Sequence, residues 1–113
     1  MRGVMEQTDL LINEIKKSNE YNQYQMFLKK VMQDQGVYHR LNEFRRRNFI
    51  LQMNSNVDAI DSGAALYSEY ADVVNRPDIK EFLSAEQRFI RMIRQIYRTL
   101  DENVNINIDF MEE

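Results

Sequence analysis

Cysteine is absent from this chain, histidine occurs once, and glycine and proline are limited to three residues and one residue. Each shortage excludes something. Without cysteine there can be no disulfide and no thiolate metal site, which fits a reducing, cytoplasmic setting. A histidine-based metal site or a Ser-His-Asp triad would have to be built around His39 alone. No HExxH, glycine-rich phosphate loop, EF-hand pattern or Glu-x-x-His pair appears, so neither catalysis nor a cofactor is expected. No apolar run approaches the roughly 20 residues of a membrane span, and the N-terminal MRGVMEQTDL lacks a signal-peptide core. No membrane association is expected. With so little glycine and proline to punctuate it, the chain reads as helix nearly throughout.

What is present is an ordinary globular composition. The 113 residues suit one domain spanning 1–113, with 43% apolar and 29% charged residues. The net charge of −3 gives no global attraction to nucleic acid. The charges are nevertheless in blocks. Arg40, Arg45, Arg46 and Arg47 face only Glu43 within Val37–Met53, whereas Val57–Asp72 holds Asp58, Asp61, Glu69 and Asp72 without a base. Blocks of opposite sign are expected to pair with one another or with a partner.

The expected architecture is all-α: an antiparallel bundle or long helical hairpin with a short N-terminal helix and an extended C-terminal tail. The first helix is placed from about Thr8 or Asp9 to Lys17, and Ser18 can cap a second with Glu20 in its first turn. Asp34-Gln35-Gly36 interrupts the pattern, and a long helix follows from about Val37 to Asn54. After a weak break at Asn54-Ser55-Asn56, helix resumes from about Val57 to Val74, weakened near Ser62-Gly63. Pro77 opens the last helix, to about Glu102. Val104, Ile106, Ile108 and Phe110 then alternate with polar residues at a strand period. This tail is expected to lie on an apolar groove of its own domain, with exchange into a second subunit as the alternative.

The stretch LNEFRRRNFILQ, residues 41–52, places three arginines in a row inside the long helix. At about 100° per residue the triplet spans about 200° of helix surface, so it cannot grip one phosphate rail. Val37, Leu41, Phe44, Asn48 and Leu51 form the apolar stripe. Arg45 and Arg47 border it and Arg46 points away. Phe49, Ile50 and Met53 lie off the stripe, and a helix apolar on a second face is either central in its bundle or covered by a partner. In the last helix Ile79, Phe82, Phe89, Ile93, Ile96 and Leu100 share a face, opposite Arg88, Arg91, Arg94 and Arg98. Those arginines are either a solvated face or a docking stripe for an acidic protein or an RNA backbone. Glu86 falls inside the apolar face, where a carboxylate needs a cation. Arg45 is the expected partner, with Asn48 and Gln52 as nearby donors.

Taken in order, SNEYNQYQ (18–25), LNEFRRRNFILQ (41–52), EYADVVNRPDIKEFLSAE (69–86) and the terminal NIDF resemble the YlbF/YmcA-like family of small helical bacterial regulators, in the versions found in clostridia. The resemblance covers most of the chain. It implies an all-helical, self-associating fold and a non-enzymatic role in sporulation, competence and biofilm decisions, exercised in a complex that assists the endoribonuclease RNase Y in mRNA processing. The motif residues carried over are Phe44, Arg45, Arg46, Gln52, Tyr70, Phe82 and Glu86. Some relatives contain cysteine and their complex is associated with iron–sulfur clusters; this chain lacks the thiolates such a role needs.

The leading expectation is therefore a regulatory protein-interaction module that binds itself as a homodimer or larger oligomer, and binds an endoribonuclease-associated complex. Arg46, Phe49, Met53, Arg88, Arg91, Arg94 and Arg98 are its candidate contact residues, and Arg45–Glu86 its structural pair. The alternatives are direct RNA binding through the last helix's arginines and a purely structural oligomerising adaptor.

Overall fold

The computed structural model describes residues 2–53 and 59–112, with the backbone alone for 59–61. The break read at Asn54-Ser55-Asn56, the resumption at Val57 and the side chains of Asp58 and Asp61 lie outside that description. Among the described residues there are six helices and no strand: α1 (Arg2–Lys17), α2 (Asn19–Met32), α3 (Gln35–Met53), α4 (Ala59–Glu69), α5 (Ala71–Val74) and α6 (Pro77–Val104).

Local chemistry explains most boundaries. Ser18 sits extended between α1 and α2, and its Oγ accepts from the Tyr21 amide at 3.1 Å, satisfying a donor the helix start would otherwise leave unpaired. Asp34 does the same for α3, accepting from the Val37 amide at 3.1 Å. With that cap, α3 begins at Gln35, two residues before the expected Val37. Pro77 occupies the first turn of α6, where its missing N–H costs nothing. At the N-terminus α1 reaches back to Arg2, well beyond Thr8.

The segment expected as one helix to Val74 divides at Tyr70, not at Gly63. The Tyr70 ring is buried, with the Arg40 guanidinium 4.5 Å and the Arg47 guanidinium 5.5 Å from its centroid. Arg40 also donates to the Glu69 carbonyl at 2.9 Å, satisfying an acceptor at the end of α4. Gly63 needs no special geometry: a Cβ there would meet Leu51 Cδ2 at an ordinary 3.7 Å.

One core lies between α2, α3, α4, α5 and the first half of α6. Leu41, Phe44, Ile79 and Phe82 are its most deeply buried side chains. Tyr24 stacks on both Phe82 and Phe89, at 5.8 and 5.2 Å between centroids, fastening α2 along α6. Phe44 meets Tyr67 edge-on at 5.0 Å, fastening α3 to α4. Such pairs add about 0.5–1.5 kcal/mol beyond area burial.

Outside this core the molecule is open. Its radius of gyration is 18.1 Å, against about 13 Å for a compact chain of this length. α1 approaches only α2, leaving Val4, Leu10, Leu11 and Ile12 exposed. The apolar face of α6, covered as far as Ala85, emerges at Tyr97 and Leu100. The tail does not lie on its own domain as expected: Val104, Ile106, Ile108 and Phe110 are all exposed. It is irregular from 105 to 108 and closes in a 3-10 turn at Asp109–Met111 instead of continuing as a strand. No groove is built there for it, since α1 does not approach α6 among the described residues.

Candidate protein-interaction site

The arginine-rich stretch of α3 is held in three different ways. Arg40 makes a two-pronged pair with Asp72, at 2.7 and 2.9 Å, and Arg47 bonds to Glu69 at 2.7 Å and to the Tyr70 hydroxyl at 3.2 Å. The basic block of α3 thus meets the acidic end of α4 and the start of α5. These exposed pairs hold Asp72 and Glu69 below the ordinary carboxylate range, chiefly through the arginine hydrogen bonds. They contribute little to stability individually.

Arg45 crosses to α6. Its Nη2 lies 2.6 Å from Glu86 Oε2, its Nη1 donates to Asn42 Oδ1 at 3.0 Å, and its guanidinium carbon lies 5.2 Å from the centre of the Phe82 ring. The Glu86 side chain is only 14% exposed. Asn42, one turn before Arg45, takes the supporting position expected for Asn48 or Gln52. A neighbour at i−3 is the signal that could have found it.

The bridge spans a real gap. No Cα of α3 comes within 8 Å of one in α6 among the described residues. Between the two helices lies an open cleft of ≈ 510 Å³ lined by Phe44, Phe49, Tyr67, Leu83 and Ile90, with Arg46 and Arg94 among its walls. Asn48 and Gln52 line it too. Arg46 and Arg94 are exposed and carry no ion pair or side-chain hydrogen bond among the described residues. The cleft therefore couples apolar surface to two uncommitted cations. Tyr67 was not singled out by the sequence; its spacing three residues before Tyr70 is the only hint.

The remaining candidates are distributed. Phe49 and Met53 are exposed, at 64% and 68%. Arg88 donates to Gln23 Oε1 at 3.0 Å and to Ser84 Oγ at 3.2 Å, and with Arg91 it borders the groove beside α2. Arg94 faces the other groove, and Arg98 lines a concavity at the end of α6. The four arginines do not form one rail. That concavity, ≈ 770 Å³, is walled by Tyr97, Leu100, Val104, Ile106 and Ile108. His39 is an exposed helix residue 3.1 Å from Glu43.

No described helix is long and apolar enough to cross a membrane. An all-α module with an open, flattened body of 48 × 41 × 18 Å, surface grooves and large bare apolar faces is the class these features define. Within that class, the chain belongs to the family described as "Control of competence regulator ComK, YlbF/YmcA", which matches residues 4–105. It is similar to a UPF0342 protein of Caldicellulosiruptor bescii, 24% identical over 107 residues covering 92% of this chain and 90% of the relative. A UPF0342 protein of Caldicellulosiruptor saccharolyticus is likewise 24% identical, over 109 residues, 94% of this chain and 91% of the relative. No solved structure matches the chain with significance.

Proposed function

We propose that the protein is a non-enzymatic cytoplasmic regulator that works by binding proteins, itself included, and that it assists RNase Y-dependent mRNA processing in the control of sporulation, competence and biofilm development. The family supports a regulatory role. The observation that supports a binding mode is surface area. The chain exposes 9036 Å², whereas a compact monomer of 13.6 kDa exposes about 6,600 Å². An ordinary interface takes about 800 Å² from each partner, so the surplus accommodates a self-contact and a second partner.

Two measurements test this reading. Sedimentation across a concentration series is expected to give a mass above 13.6 kDa; a monomer throughout would sink self-association. Capture from a native lysate, with and without ribonuclease, is expected to retain the endoribonuclease or its associated proteins in both arms. Loss of every partner on ribonuclease treatment would replace the protein-binding reading with direct RNA binding.

A further inference from the structure

We propose that two copies of this chain cross at Tyr97 of α6 and exchange their C-terminal arms, each arm lying in the α3–α6 cleft of the other copy. The inference rests on the self-association proposed above and names its surface.

The first support is a seam. Ile79, Leu83, Glu86, Ile90, Ile93, Tyr97, Leu100 and Val104 follow alternating spacings of four and three along α6, the spacing of residues that meet a partner helix. The chain covers the lower part of this seam itself: Ile79 is buried, and Arg45 reaches Glu86. The upper part is bare, with Tyr97, Leu100 and Val104 at 68%, 52% and 70% exposure. A parallel partner would bring the two α3–α5 bodies, which flank the lower seam, into the same space. An antiparallel partner sets each body beyond the other's end.

The second support is position. Tyr97 lies midway between Ile90 and Val104, each about 10 Å along the helix. Antiparallel helices crossing there put Val104 of one copy beside Ile90 of the other. Ile90 is already a wall of the cleft. The arm from 105 to 108, where it is not helical, advances about 3.3 Å per residue when extended, so Ile106 and Ile108 continue along the cleft past Gln87 and Leu83, with Phe110 in the turn that follows.

The third support is charge. No Lys or Arg follows Arg98, and the arm carries Asp109 and Glu112 between its apolar residues. The cleft offers Arg46 and Arg94, while its own Glu86 is occupied by Arg45. Apolar teeth with acids meet an apolar trough with cations.

The absence of native cysteine makes the test direct. Ile106→Cys, the arm tooth that this register sets nearest Gln87, is made in a tagged chain and Gln87→Cys in an untagged one; the two are mixed and oxidised. A disulfide between chains of different mass is expected, falling to about a tenth of its yield when Arg46→Glu and Arg94→Glu are added to the Gln87→Cys chain. An unchanged yield with those charges reversed would overturn the docking. A chain carrying both cysteines that closes on itself at concentrations where sedimentation reads monomer would place the arm on its own domain and overturn the exchange. A dimer mass with no disulfide would overturn the arm's position while leaving self-association intact. A monomer mass throughout would remove both.

Discussion

The two halves of α6 belong to one continuous amphipathic helix and meet opposite fates. From Ile79 to Ala85 its apolar face is sealed by α2, α5 and the core side chains Leu41 and Phe44 of α3; from Tyr97 to Val104 the same kind of face is in water. Side-chain type does not separate them. What differs is whether the rest of the chain is long enough, and aimed correctly, to provide a cover. A 113-residue chain that spends 28 residues on one helix has little left to wrap it. An amphipathic stripe therefore records that a face is to be covered, not by which molecule.

Substitutions at matched sites would sharpen this contrast. Phe82→Ala, in the sealed half, is expected to cost about 3–5 kcal/mol in urea denaturation, whereas Leu100→Asp, in the bare half, is expected to change dilute-solution stability by less than about 0.5 kcal/mol. Leu100→Asp should instead lower the sedimentation mass. Equal losses of stability at both sites would erase the distinction between the halves.

At the border between them, Glu86→Gln is expected to cost about 1.5–3 kcal/mol, because it weakens a charge-assisted bond in a largely buried position. Arg45→Met with Glu86→Leu should recover most of that loss, since an apolar pair of similar size leaves no unpaired charge. Denaturation of the single and double variants decides it; additive losses would show that the pair acts through packing alone.

Ser18→Ala is expected to cost about 1 kcal/mol and to appear first as fraying where α1 joins α2. Hydrogen exchange at Tyr21 and its neighbours reads this directly. Unchanged protection there would mean that the Ser18 hydroxyl is dispensable.

The mildest perturbation is acid. Glu69 and Asp72 have folded-state pKa values below their unfolded ones, so their pairing is fully present above the ordinary carboxylate range and is lost as pH falls through the lowered values. Chemical shifts of Tyr70 and Arg47 followed from neutral to acid pH should report loss of the ion pairs before Phe82 and Tyr24 separate. Simultaneous loss would place the ion pairs inside the main cooperative unit.

Much of this was legible in the pattern. Ser18, Pro77 and the helical period mark elements because each acts locally, and Glu86 stood out because a carboxylate in an apolar row needs a cation. The break at Tyr70 was not legible: it depends on Arg40 reaching a carbonyl in a distant element, which no local window contains. Likewise the alternation of Val104 to Phe110 shows that one side is apolar, but not that α1 stays away from α6 and leaves that side without a bed. The common side of Arg88, Arg91, Arg94 and Arg98 was half the truth, because packing of α2 and α3 assigns them to different grooves.

Arg45 has a mechanical meaning as well as an electrostatic one. Since the backbones of α3 and α6 stand apart there, Arg45 spans the gap as a strut spans two beams already joined elsewhere, the joint being the core that holds Phe44 and Phe82. Most clefts owe their width to many packed contacts and resist adjustment. Here the closed side is fixed in that way, and across the open side one bridging side chain, itself part of the lining, spans from helix to helix.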